Sequence, residues 1–319
     1  MTLSSEAWLW VGFGVLVLGA LSVDLGLFQR KAHVVSPKQA AIWTTVWVLL
    51  ALVFAGAVWK VKGETPAVQF ITGYLVEYTL SVDNLFVFIV IFSYFGVPRE
   101  YESRILMWGI LGALVMRALF VLAGSALVSR FHWVLYVFGA ILILTGIKLL
   151  VKKEEAADLG RNAVVRLFKR FFRATDALDG PRFFTRVDGR LAATPLFIVV
   201  LVVESSDIMF AVDSVPAIFS ITQDTFVIYT SNVFAILGLR SLYFLLARLM
   251  NLFRFLKYGL VVILWFVGVK MFLPKDFLAD WVSLAVIGAV LAISVAISLL
   301  FRETHRHGDP APPPPAPPP

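Results

Sequence analysis

The sequence predicts an all-α membrane protein of about nine transmembrane helices, with a 3+3 inverted repeat formed by helices 3–5 and 6–8, the N-terminus outside and the C-terminus cytoplasmic. Three observations lead there: an apolar composition, basic residues that sort between alternate loops, and an internal repeat. Of 319 residues, 60% are hydrophobic and 15% charged, which lies outside the range of soluble domains. Crossing a hydrocarbon core of about 30 Å takes roughly 20 mostly apolar residues. Nine stretches qualify: 8–28, 41–60, 67–95, 105–128, 132–151, 194–217, 225–247, 255–273 and 281–301.

The first stretch has only Glu6 as a charge ahead of it, no basic leader and no small-residue cleavage pattern, so it reads as a retained helix. The net charge of +7 does not point to nucleic acid, because the basic residues form no single recognition face. Instead they fill one set of loops: Arg30, Lys31 and Lys38; Arg99 and Arg104; the segment from Lys152 to Arg190; Arg248, Arg254 and Lys257; Arg302 and Arg306. The opposite loops hold Lys60, Lys62, Arg130 and Lys275. By the positive-inside rule the richer set is cytoplasmic. Cysteine is absent, which excludes both a disulfide framework and a thiolate metal site within these residues.

The expected layout is two N-terminal helices (1–65), a first three-helix repeat (66–151), a basic cytoplasmic loop (152–193), a second three-helix repeat (194–273), a last helix (274–302) and a disordered proline-rich tail (303–319). Within the loop, Val164 to Phe172 has the pattern of a basic amphipathic helix lying on the anionic leaflet. The plainer reading of the loop is a solvated linker. The repeat shows in three alignments. Ser81-Val82-Asp83-Asn84 matches Ala211-Val212-Asp213-Ser214, Arg117-Ala118-Leu119-Phe120 matches Arg240-Ser241-Leu242-Tyr243, and Gly146-Ile147-Lys148 matches Gly268-Val269-Lys270. Three helices per unit is an odd number, so the two copies run in opposite directions, as in secondary transporters whose sites lie at the repeat interface.

Six carboxylates interrupt the spans: Asp24, Glu77, Asp83, Glu204, Asp207 and Asp213. Each costs on the order of 3 kcal/mol at the bilayer centre, so they are expected to face the bundle. The repeat aligns Glu77 with Asp207 near mid-span, and Asp83 with Asp213, one towards each membrane face. Glu77, Ser81 and Asn84 share a helix face, and Glu204 and Asp207 are neighbours at i, i+3. Asp213 points the other way on a straight helix, so either it serves another site or the sixth span breaks, at Pro216 or at Ser205-Ser206.

Glu77, Asp83, Asn84, Glu204, Asp207 and Asp213 are therefore the candidate metal ligands. Asp24, Met209 and Asn232 are weaker additions. Asp24 has snorkelling or pairing with Arg30 as its alternative, Met209 has ordinary apolar packing, and Asn232 has a helix-packing hydrogen bond. Oxygen donors of this kind suit Mg, Ca or Mn, and Met209 as the one soft atom would favour Mn. All four histidines, His33, His132, His305 and His307, fall at span ends or in the tail. Arg117 and Arg240 are the expected charge partners of two of the acids. Lys148 and Lys270 read as helix-terminus anchors.

The segments Glu77 to Asn84, Glu204 to Pro216 and Thr230 to Phe244, together with Ala32 to Trp43, resemble the TerC family of membrane proteins. The resemblance covers about Asp24 to Phe301, and the proline-rich tail lies outside it. It implies a bacterial inner-membrane protein similar to members linked to manganese export and, historically, tellurite resistance. It also implies that the acids of the two motifs are metal ligands. Some members look like partners of the secretion machinery that help metalate exported enzymes, a role the 152–193 loop would serve here. The leading expectation is an Mn²⁺ exporter, with proton exchange through the same carboxylates as its coupling, that is not an enzyme and needs no cofactor beyond the divalent cation it carries. An intramembrane aspartyl enzyme built on Asp83 and Asp213 is the alternative from another class; it lacks a glycine-framed Asp motif.

Overall fold

A computed structural model describes residues 5–28, 35–151, 163–187, 189–249, 256–274 and 277–300. Eleven helices and one hairpin follow in order: α1 (Ser5–Phe28), α2 (Pro37–Lys62), α3 (Glu64–Tyr94), α4 (Arg99–Arg130), α5 (Val134–Val151), α6 (Ala163–Phe171), β1 (Phe184–Val187), β2 (Arg190–Ala193), α7 (Pro195–Phe219), α8 (Thr225–Leu237), α9 (Leu239–Leu249), α10 (Leu256–Lys270) and α11 (Asp280–Leu300). The proline-rich tail and the Asp24 side chain lie outside what is described.

Local chemistry sets the helix ends. The Ser36 hydroxyl accepts from the Gln39 amide at 3.2 Å and Pro37 takes the first position of α2, where a missing N–H costs nothing. Gly63 alone separates α2 from α3, at φ +97°, a backbone region that side chains disfavour. Asp224 caps α8, its carboxylate accepting from the amides of Phe226 at 2.9 Å and Val227 at 3.4 Å.

Six described helices are long and apolar enough to cross a membrane: α2, α3, α4, α5, α7 and α11 through Ser298. Counting α8 and α9 as one bent span makes seven. The nine expected spans are thus not all of that kind: α10 has 15 residues, and the described apolar part of α1 runs only Glu6–Ser22. The break also falls elsewhere than expected. It lies at Gly238, where α8 and α9 diverge by 41°, whereas α7 runs unbroken through Ser205, Ser206 and Pro216. The two serine hydroxyls donate back to the Val202 carbonyl at 2.8 and 2.9 Å, so they are satisfied within the helix. Pro216 stands three residues from the helix end, where little ladder remains to disrupt.

α3 is the central helix. Its apolar window is 61% buried, against 22% for α5 and for α11. It packs against α2, α7, α8, α9 and α11, while α4 packs on α7 and α8, and α5 lies along α10. The last contact is close because glycines face each other: a Cβ on Gly139 would meet the Gly268 carbonyl oxygen at 2.9 Å, and one on Gly268 would meet that of Gly139 at 3.0 Å. At one end of the bundle Lys62 reaches both Glu6 (3.0 Å) and Asp224 (2.6 Å), tying α1, α2 and α8 together. Near the same end of α3, Gln69 donates to Asp280 at 2.9 Å and Lys270 lies 3.8 Å from it. Lys270 is therefore a cross-helix partner rather than only a terminus anchor.

At the opposite end the segment expected to be a linker is folded from Ala163 onward. α6 occupies the expected amphipathic stretch. β1 and β2 then pair antiparallel, Phe184 with Ala193 and Val187 with Arg190, around a turn that closes at Gly189 with φ +74°. The Asp188-Gly189 dipeptide is a strong hairpin signal. Backbone bonds from Ala193 to Arg173 and from Thr175 to Ala193, both 2.9 Å, join the hairpin to the chain leaving α6.

Candidate functional site

The face of α3 that carries Glu77, Ser81 and Asn84 is turned into the bundle, with all three buried and Glu77 only 1% exposed. Opposite it, α4 contributes Arg117, also 1% exposed. An arginine so deep is tolerable only with its charge and donors engaged. Its Nη1 donates to Asn232 Oδ1 of α8 at 2.6 Å and lies 2.7 Å from Glu77 Oε1, a charge contact without hydrogen-bond alignment. Asn232 is oriented by its own amide, which donates to the Ile228 carbonyl at 3.1 Å. This agrees with the packing role read for Asn232 and gives it a specific partner that the sequence did not reveal.

Asp207 of α7 is buried and interacts electrostatically with both Arg117 and Glu77. Ser214, two turns along α7, faces the Glu77 carboxylate. Two carboxyl groups share one arginine here, so the centre carries one negative charge in excess only when both are ionised. Five of its buried atoms have no hydrogen-bond partner: Glu77 Oε1, Ser81 Oγ, Arg117 Nε, Asp207 Oδ2 and Ser214 Oγ. Each such atom costs on the order of 1–3 kcal/mol when nothing satisfies it. The four oxygens are of the type a small oxygen-seeking cation takes, and ordered water would meet both them and the Nε–H of Arg117.

The structure does not bring the remaining expected ligands to that point. Among the described residues no three His, Cys, Asp or Glu side chains sit close enough together to hold a metal ion. Glu204 leans across to α4, against Gly112, where a Cβ would collide with its carboxylate. Asp213 lies nine residues beyond Glu204, about half a turn out of phase on a continuous helix. It faces α5, accepting from the Thr145 hydroxyl at 2.7 Å. Of the two sequence readings for Asp213, the separate location is the one seen. Asp83 is half-buried, one and a half turns from Glu77 on α3. Met209 is 67% exposed on the outer face of α7, which removes it from any ligand set. Arg240 is buried beside Trp43, Trp47 and Phe244. The small-residue spacing of Gly109 and Gly112, where Val203 and Glu204 of α7 come close, is the sequence signal of this approach.

The model of the integral membrane protein TerC family matches residues 62–306. An "Uncharacterized membrane protein STKORF319" of Myxococcus xanthus is 50% identical over 294 residues, covering 92% of each chain. Proteins named "Putative membrane-bound redox modulator Alx" are 46% identical in Salmonella typhi, over 91% of this chain and 93% of theirs, and 45% identical in Escherichia coli K12, over 93% and 96%. No solved structure matches. With six or more apolar helices and membrane-protein relatives throughout, this is a multi-pass protein of the bacterial inner membrane. The chain belongs to the TerC family of integral membrane proteins.

Proposed function

We propose that the chain transports a divalent metal cation out of the cell, with Mn²⁺ as the ion, and that Glu77 and Asp207 are its central ligands. The observation that carries the reading is the centre of two carboxyl groups and one arginine, Glu77, Asp207 and Arg117, buried where α3, α4, α7 and α8 meet. The excess charge is balanced by a proton or by the cargo, and alternation between the two is the simplest basis for proton exchange. In the arrangement described above Arg117 holds one of the carboxylates. A cation reaching the centre therefore competes with a tethered one, and Asp207, Ser81, Ser214 and the Asn232 carbonyl offer the further oxygens. Glu204, Asp83 and Asp213, each at its own depth, fit an access path on either side of the centre. Asp24 and Asn84 stay as candidates for that path. Hard oxygen donors favour Mg, Ca or Mn; the choice of Mn rests on the family resemblance.

The 3+3 inverted repeat and the outside N-terminus belong to the same proposal. Packing supports the repeat. Exchanging α3–α5 with α7–α10 turns the α3–α8 contact into α7–α4 and the α5–α7 contact into α10–α3, and all four occur. Such pseudo-symmetry suits alternating access.

The names of the Alx relatives supply a second reading, redox modulation. These 319 residues contain no cysteine, so thiol exchange is not available to them, and control of a redox-active metal pool is the form that fits the site. Metalation of exported proteins with a secretion-machinery partner is the interaction-protein alternative. We favour neither an enzyme nor a bound cofactor; Asp213 engaged with Thr145 argues against an Asp83–Asp213 catalytic dyad.

The test is Mn²⁺ flux in proteoliposomes carrying a metal-sensitive dye. Asp207→Asn, which leaves the Arg117–Glu77 pair intact, should abolish flux while the protein stays folded. Wild-type flux in both Asp207→Asn and Glu77→Gln would reject the site.

A further inference from the structure

The folded appendage at the basic end of the bundle is not used by the transport reading, and its surface has a distinctive chemistry. α6 divides its apolar side chains between two directions. Phe168 turns inward, stacking on Phe172 at 4.8 Å and meeting Phe197 of α7 at 5.3 Å. Leu167 and Phe171, one turn apart, turn outward, and Phe171 is 71% exposed. Phe172, which lines the same groove as Phe171, is exposed as well. Around it stand exposed Arg166, Arg170, Arg173, Arg186 and Arg190. Between the end of α6 and the hairpin lies an open groove of about 680 Å³, lined among others by Arg170, Phe171, Arg173, Thr175, Asp176 and Val187.

Position says what faces this surface. Phe183, just before β1, packs edge-on against Trp108 of α4 at 6.1 Å and lies under the Arg104 guanidinium at 4.9 Å. Trp108 is nine residues into α4, about 13 Å along the helix at 1.5 Å per residue. Phe183 thus meets α4 just inside the stretch 105–128 read as a span, and Phe168 meets the start of α7, so the appendage sits beside the ends of both helices, the level expected of the bilayer interface. Residues 163–193 carry basic Arg166, Lys169, Arg170, Arg173, Arg182, Arg186 and Arg190 against acidic Asp176, Asp179 and Asp188.

We propose that residues 163–193 form a docking site for anionic phospholipid: Phe171 and Leu167 enter the acyl boundary while Arg170 and Arg173, at the rim of the groove, bind the lipid phosphate. An exposed apolar ridge flanked by arginines at interfacial depth complements an anionic leaflet in both charge and polarity. The arginine fork suits a phosphate oxygen pair. A soluble protein partner would leave the ridge without a reason to lie beside the span ends.

The experiment uses the full chain in nanodiscs of phosphatidylcholine alone or with one third phosphatidylglycerol, reading hydrogen–deuterium exchange over residues 163–187. Phosphatidylglycerol should slow exchange there, and Arg170→Gln with Arg173→Gln should remove most of that slowing, since each basic residue near an anionic surface contributes a factor of about five to binding, about 25 for the two. Arg170→Lys with Arg173→Lys, which keeps the charge, should retain most of the protection. Equal exchange in the two nanodiscs overturns the proposal. So does protection produced by inorganic phosphate in phosphatidylcholine alone, which would mean a soluble anion site, and so does undiminished protection in the glutamine variant of a folded protein.

Discussion

The stretches 66–151 and 194–273 carry matching residues and use them differently. Arg117 of the first lies against Glu77 and Asn232 at the centre of the bundle, and its counterpart Arg240 is buried at the start of α9 beside Trp43, Trp47 and Phe244. α4 runs 32 residues without interruption, while the matching stretch is divided into α8 and α9 at Gly238. Glu77 is fixed by a counter-charge; Asp207, one methylene shorter, shares that arginine's field without contacting it as closely. A duplicated motif thus marks where charge is buried, but it does not dictate that both copies make the same contacts. One copy is arranged as an anchor and the other as the part with spare coordination capacity.

The sharpest way to break this comparison is at Arg117. Arg117→Met leaves Glu77 buried without its partner and should cost about 3–5 kcal/mol of stability. Adding Glu77→Gln should recover part of that loss, because Asp207 then remains as the one buried carboxyl deprived of the arginine. Thermal unfolding in detergent measures both. An equal loss in the single and double variants would mean that Arg117 acts through packing and not through Glu77.

How far the site was legible follows from the same residues. The burial of Glu77 and Asp207, and the pairing of an arginine with one of them, come from the cost of charge in lipid, a constraint that acts on composition alone. The choice of partner does not. It depends on how close α4 and α7 come, which Gly109 and Gly112 set, and on an asparagine whose orientation is fixed by a carbonyl one turn back on α8. The expected break in α7 misjudged Ser205, Ser206 and Pro216, because serine hydroxyls can be satisfied by the preceding turn and a proline near a helix end disrupts little. The hairpin was missed although Asp188-Gly189 is a turn signal, because the surrounding basic residues read as solvated.

A second probe concerns the contact between the units. Gly139→Ala and Gly268→Ala should each destabilise by about 1–3 kcal/mol, since each new methyl meets a backbone oxygen that cannot swing away. Near-equal losses in chemical unfolding would mark α5 and α10 as a shared seam. Gly112→Ala meets only the flexible end of Glu204 and should cost less than either, which the same unfolding series checks.

Gly238 sharpens the comparison from the other side. Its backbone is helical, at φ −74°, and a Cβ there finds no atom closer than 3.5 Å. Gly238→Ala should therefore stabilise the protein by up to about 1 kcal/mol and slow Mn²⁺ flux if the bend takes part in transport. Unfolding temperature and vesicle flux separate the two effects.

The smallest expected effect lies in the appendage. The Thr185 hydroxyl, donating at 2.7 Å, and Arg182 hold the Asp179 carboxyl below the ordinary carboxylate range. The group is exposed, so the gain is slight. It is present at neutral pH and disappears as pH falls through the lowered value. Asp179→Asn should speed hydrogen exchange of the hairpin slightly at neutral pH and not at all once the carboxyl is protonated.

Gly63 has a mechanical consequence. A single residue joins a helix of 26 residues to one of 31, and Lys62 beside it is clasped by Glu6 and Asp224. Such a joint has too little chain to absorb a change of tilt. Any rocking of α3 must then swing α2 with it like the second arm of a bell crank. A helix outside the duplicated core would thereby carry motion at the buried charges out to the surrounding lipid.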